Sequence, residues 1–114
     1  MLFRKVPKTG ESLSILGFGY MRLPVSRLGT IDEEAAVSQL RYAIDHGVTY
    51  VDTAPAYHLG RSEKILGRAL EGGYREKVRI ATKLPPWSVA SRDDMDRILS
   101  AQLTALKTDR IDYY

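Results

Sequence analysis

The chain has 114 residues and a net charge of +3, from 17 Lys and Arg against 14 Asp and Glu. That balance is too slight and too evenly dispersed to mark a nucleic-acid surface. The absence of cysteine excludes disulfides, a cysteine nucleophile and thiolate-held metal sites, and is compatible with a cytoplasmic address.

Met1 to Lys8 lacks the apolar core of a signal peptide, and no apolar run approaches a membrane span, so no membrane partner is expected. Leu2 to Val6 and Ser12 to Ile15, either side of Pro7-Lys8-Thr9-Gly10-Glu11, predict a hairpin. Leu16 to Tyr20 follows as the first of a further set of strands. Inside it Gly17-Phe18-Gly19 begins like a dinucleotide fingerprint, but Arg22 stands where the third glycine belongs and Pro24 interrupts the helix that should follow.

Asp32 is the expected N-cap of the first helix, with Ala36, Leu40, Ala43 and Ile44 at helical spacing and Gly47 as its stop. His46 falls at the end of that helix, where a cation suits the dipole, and reads as structural. Thr49 to Asp52 is the second strand. Ser62 begins a second helix with Ile65, Leu66, Ala69 and Leu70 on one face, closed by Gly72-Gly73, and Glu63 has a capping role as its simplest reading. Val78 to Lys83 is the third strand, followed by a turn at Pro85-Pro86. Ser91 and Asp94 form a capping-box-like start to a third helix whose stripe is Met95, Ile98, Leu99, Leu103 and Leu106. Ile111 to Tyr114 is the fourth strand. Strict alternation of strand and helix argues for an α/β fold with a parallel sheet, and no second domain, linker or repeat is visible.

Two ionisable residues, Asp52 and Lys83, close strands in this scheme, and Tyr57 lies in the loop just beyond one of them. In a parallel α/β fold the carboxyl ends of the strands open on one face, so the three should meet. A free phenol holds its proton until about pH 10, and a nearby ammonium lowers that value by favouring the phenolate. Asp52 would hold the lysine in place and charged. The plainer alternative is a buried Asp–Lys pair that joins two strands with Tyr57 packed alongside. Because such a pair seldom stabilises a fold relative to apolar replacements, a functional reason for it is preferred.

The segments LGFGYMRLP, IDEEAAVSQLRYAIDHG, YVDTAPAY, GRSEKILGRAL, YREKVRIATKLP and TDRIDYY, in that order over nearly the whole chain, resemble the aldo-keto reductase family. The resemblance implies a (β/α)₈ TIM-type barrel that transfers hydride between NADP(H), or less often NAD(H), and a small-molecule carbonyl or alcohol. It implies Tyr57 as proton donor, Lys83 as its activator, and Asp52 as the partner of Lys83 beside the nicotinamide ribose. Gly19, Tyr20 and Met21 are implied to line the barrel mouth beside the nicotinamide, although Tyr20 replaces the small residue common there. The alternative for these is a glycine-relieved strand in a crowded wall. Trp87 is expected as one wall of the carbonyl pocket, or as a packed tryptophan, and His58 at the pocket rim.

Such a barrel typically needs ~250 residues, so the chain is expected to hold its first half only: the hairpin, about four strands and three helices, as one partial domain over residues 1–114. The family's substrate-orienting histidine, about two apolar residues further along strand four, and its phosphate-gripping segments are not in this sequence. The style of GFGYMRLP and AIDHG is similar to relatives with a C-terminal cysteine-rich iron–sulfur segment, but without cysteine no such cluster is expected here. The competing expectation is a non-catalytic half-barrel that self-associates through its open edges.

Overall fold

The computed structural model describes every residue from Met1 to Tyr114. A short antiparallel hairpin of β1 (Phe3–Lys5) and β2 (Ser12–Ser14) leads into a parallel three-stranded sheet of β3 (Phe18–Gly19), β4 (Tyr50–Asp52) and β5 (Arg79–Ala81), in that spatial order. Helices α1 (Glu33–Asp45) and α2 (Arg61–Ala69) connect these strands, and α3 (Arg92–Leu106) follows β5. This is the expected incomplete (β/α) barrel, with no closure of the sheet.

Helices α1 and α3 start where the sequence directs. The Asp32 carboxylate accepts from the Ala35 amide at 3.0 Å, and Glu33 and Glu34 place negative charge in the first turn of α1. Ala36, Val37, Leu40 and Ile44 form the buried face, and Gly47 leaves the helix at φ +97°. At its end His46 bonds the Tyr42 carbonyl through Nδ1 at 2.7 Å and stacks on the Tyr42 ring, in keeping with a structural role. The capping box of α3 is complete, with Ser91 and Asp94 each bonding the other's amide.

The strands are shorter than the apolar runs suggest. Ile15 and Leu16 are exposed because the chain bends there: the Ser14 hydroxyl donates to the Leu16 carbonyl at 2.6 Å. The third strand stops at Ala81, so Lys83 lies two residues past its end. The expected fourth strand is reduced to a single parallel bridge between Ala81 and Tyr113, although the Asp112 and Tyr113 amides both reach the Ile80 carbonyl. That segment is fixed mainly by side chains, with Arg75 donating to the Asp112 carboxylate at 2.8 Å and to the Arg110 carbonyl at 3.0 Å.

Register decides what faces where. Phe18, Val51 and Ile80 pair across the sheet and pack towards the helices. With Leu40, Leu66 and Leu106 they make the core. Residues one step along, Gly19, Asp52 and Ala81, pair on the opposite face, which no helix covers. A parallel sheet is ordinarily covered on both sides, so this inner face is the incomplete part of the architecture.

Candidate active site

Asp52 is the final residue of β4, and Lys83 reaches it across the end of β5. The lysine ammonium donates to both carboxylate oxygens, at 3.0 and 2.9 Å, and to the Thr53 carbonyl at 2.8 Å. All three of its protons are thereby directed. The same ammonium stands 5.1 Å from the centroid of the Tyr57 ring, within cation–π reach. Partial burial works against the Lys83 charge, but hydrogen bonding to Asp52 and the proximity of Tyr57 together outweigh it and hold the lysine above its ordinary range.

The pair is not buried as the sequence suggests: Lys83 is 49% exposed and Asp52 37%. It sits on the uncovered inner face, so water reaches it from the side that further strands would close.

A cavity of about 240 Å³ opens beside the pair, bounded by Tyr57, Lys83, the Ala54 to Ala56 loop and the Leu84 to Trp87 loop. Trp87, 77% exposed, lies along the edge of this cavity. A larger hollow at the start of α3, around Ser91, Arg92, Met95 and Asp96, includes none of Asp52, Tyr57 and Lys83.

His58 does not border this cavity. Its Nε2 accepts the Leu23 amide at 3.0 Å, which ties the loop after β4 to the loop after β3. His58 and Leu59 both adopt positive φ, +50° and +55°, before Gly60 at +84°, a left-handed turn. The pocket-rim expectation is therefore replaced by a role in holding the loop.

Among the residues expected beside the nicotinamide, Gly19 lies on the inner face, where an added Cβ would meet nothing within 4 Å, and Met21 is exposed. Tyr20 departs from expectation. Its ring is fully buried in the core, so only its backbone belongs to the strand-end region.

Sequence reasoning missed three polar residues. Ser62 does not cap α2, whose N-cap is Gly60, and Glu63 is no cap either. Both are buried, at 0% and 4% exposure, as is Gln102 at 3%, inside what reads as the apolar stripe of α3. Met95, expected on that stripe, is exposed instead. The available signal was the helical phase of Ile98, Gln102 and Leu106, which puts the glutamine on the buried line.

The sequence matches the aldo/keto reductase family over residues 15–114. It is 35% identical to the aldo-keto reductase YhdN of Bacillus subtilis over 122 aligned positions, covering 100% of this chain and 37% of that protein. It is 37% identical to the methylglyoxal reductase YeaE of Escherichia coli, covering 84% of this chain and 36% of that protein. The fold superposes on an aldo-keto reductase from Klebsiella pneumoniae solved in complex with NADPH, with a TM-score of 0.81 and 30% identity over 98% of this chain and 38% of the other. The chain thus spans well under half the length of the proteins it matches.

Proposed function

The chain belongs to the aldo/keto reductase family, and from that premise we propose that it carries the first part of an NADP(H)-dependent carbonyl-reducing site. The observation that supports this best is the Asp52–Lys83–Tyr57 cluster beside a cavity edged by Trp87. Tyr57 is the proton donor to the oxygen of the reduced carbonyl. The Lys83 ammonium favours negative charge on the phenol oxygen as that proton leaves, and Asp52 fixes the ammonium by two hydrogen bonds. A positioned acid of this kind contributes typically ~10²–10⁴-fold.

NADP(H), when bound, supplies the hydride. Asp52 and the open face at Gly19 and Met21 are the residues of this chain that would receive its nicotinamide end, with Tyr20 contributing backbone only. The NADPH found with the Klebsiella pneumoniae enzyme supports that choice of cofactor. Trp87 bounds the pocket for a small-molecule carbonyl. The absence of cysteine suits a reducing compartment such as the cytoplasm, and no helix is long and apolar enough to cross a membrane.

Taken alone, the 114 residues fit better as a non-catalytic part of a barrel that self-associates. Tyr50 and Tyr113 pack edge to face on the uncovered side, the pairing edges of β3 and of the Tyr113 segment are open, and the active pair is half in water. NADPH oxidation with a panel of aldehydes, followed for the full-length protein and for residues 1–114, tests both statements. Turnover by the full-length protein and none by the short chain is expected, with light scattering showing the short chain larger than a monomer. No reduction of any carbonyl by the full-length protein would refute the reductase reading, and saturable NADPH binding by a monomeric short chain would refute the other.

A further inference from the structure

Two adjacent residues in the first turn of α2 reach the ends of all three parallel strands. The Ser62 hydroxyl donates to the Tyr20 carbonyl at 2.7 Å, just past β3, and lies 2.8 Å from the Thr53 hydroxyl, just past β4. Since the serine proton is committed to a carbonyl, Thr53 is the donor in the second bond. The Glu63 carboxylate accepts from the Thr82 hydroxyl at 2.7 Å, just past β5, and from the Gln102 amide at 2.8 Å.

Gln102 spends its other amide proton on the Lys83 carbonyl at 3.1 Å, and its oxygen accepts from the Tyr114 hydroxyl at 2.7 Å. The glutamine's orientation follows, because both partners of its NH₂ are acceptors. The bonds to the strand ends land next to residues of the candidate site: Tyr20 follows Gly19, Thr53 follows Asp52, and Thr82 precedes Lys83.

Glu63 has no cationic partner, and a buried carboxylate held only by neutral donors costs stability relative to an apolar residue. Its position in the first turn of α2 offsets part of that cost through the helix dipole. What the arrangement supplies is placement. Three strand ends, otherwise free to fray, are clamped to two helices by bonds shielded from water.

We propose that Ser62 and Glu63, with Gln102, are positioning residues of the carbonyl-reducing site, holding Asp52 and Lys83 at the separation that aligns the lysine with Tyr57. This deepens the reductase reading and rests on it for its catalytic consequence.

The test uses the full-length protein with Glu63→Leu, which removes the acceptor, and Glu63→Gln, which removes the charge but keeps an acceptor for Thr82 and Gln102. Turnover is measured alongside NADPH affinity, and the Lys83 titration is followed by NMR of ¹³C-labelled lysine. Glu63→Leu should lower kcat roughly 10- to 10²-fold with little change in NADPH affinity, and lower the Lys83 midpoint as its grip on Asp52 loosens. Glu63→Gln should restore most of both. Gln102→Met, which keeps Glu63 and its bond to Thr82, should move both quantities in the same direction and serves if Glu63→Leu does not fold.

An unmoved Lys83 titration in folded Glu63→Leu or Gln102→Met, or a Glu63→Gln variant as impaired as Glu63→Leu, would overturn the proposal. A wild-type protein without turnover whose Lys83 titration still follows Glu63 would overturn the reductase reading and leave the positioning role standing.

Discussion

Lys83 grips both oxygens of Asp52 at 3.0 and 2.9 Å while about half of its own surface stays in water. In these 114 residues a half-exposed pair of this kind contributes at most about 1 kcal/mol. Asp52→Asn should change the melting temperature little and lower the midpoint at which Lys83 loses its proton. The sign is that of a raised lysine: the stabilisation is fully present below the ordinary lysine pKa and is lost as pH rises through the higher folded value. Lysine NMR through the alkaline range checks this. An unchanged Lys83 midpoint in Asp52→Asn would mean that Asp52 does not hold the ammonium.

At Gly67 the α2 backbone packs close against the end of α3. A Cβ at that position would stand 2.5 Å from the Ala105 carbonyl oxygen and 2.8 Å from the Leu106 carbonyl carbon, both backbone atoms that cannot swing aside. Gly67→Ala should destabilise the fold by about 1–3 kcal/mol, the usual cost of overpacking, despite alanine's better helix propensity. Chemical denaturation measures it. A variant as stable as the parent would show that the two helices separate freely.

Tyr20 presents the opposite case. Its hydroxyl is buried without a hydrogen-bond partner, and desolvation, reinforced by Glu33, pushes its pKa well above the ordinary phenol value. Removing an unpaired buried hydroxyl relieves a penalty of about 1–3 kcal/mol, so Tyr20→Phe should leave stability unchanged or raise it. A clear loss of stability would reveal a bond that the oxygen makes.

Asp94 anchors the acid limit of α3. The Arg97 guanidinium, then the Ala90 amide and the Ser91 hydroxyl and amide, hold its carboxyl down at about 2 from an ordinary 3.8. The stabilisation is present above pH 3.8 and disappears as pH falls towards 2. Arg97→Ala should raise the Asp94 midpoint, read by carboxyl ¹³C shifts. A midpoint that stays put would remove Arg97 as the leading cause.

The order of elements was legible because helix caps and strand runs are local: Asp32, Ser91 and Gly47 act where the sequence puts them. The trio was legible for a related reason, since strand ends share a face in any parallel α/β fold. What stayed hidden depends on partners far away in sequence. Ser62 and Glu63 looked like helix-start residues, and nothing local tells that they turn to Tyr20, Thr53 and Thr82 instead. Nor does the sequence reveal that Tyr20 points into the core, which register decides, or that His58 is tied to the Leu23 amide.

Tyr57→Phe tests the central claim most directly, because it keeps the ring beside Lys83 and removes only the hydroxyl that carries the proton. In the full-length protein, carbonyl reduction should fall by at least ~10²-fold while NADPH affinity changes little. Turnover close to that of the parent would contradict the assignment of Tyr57 as the acid.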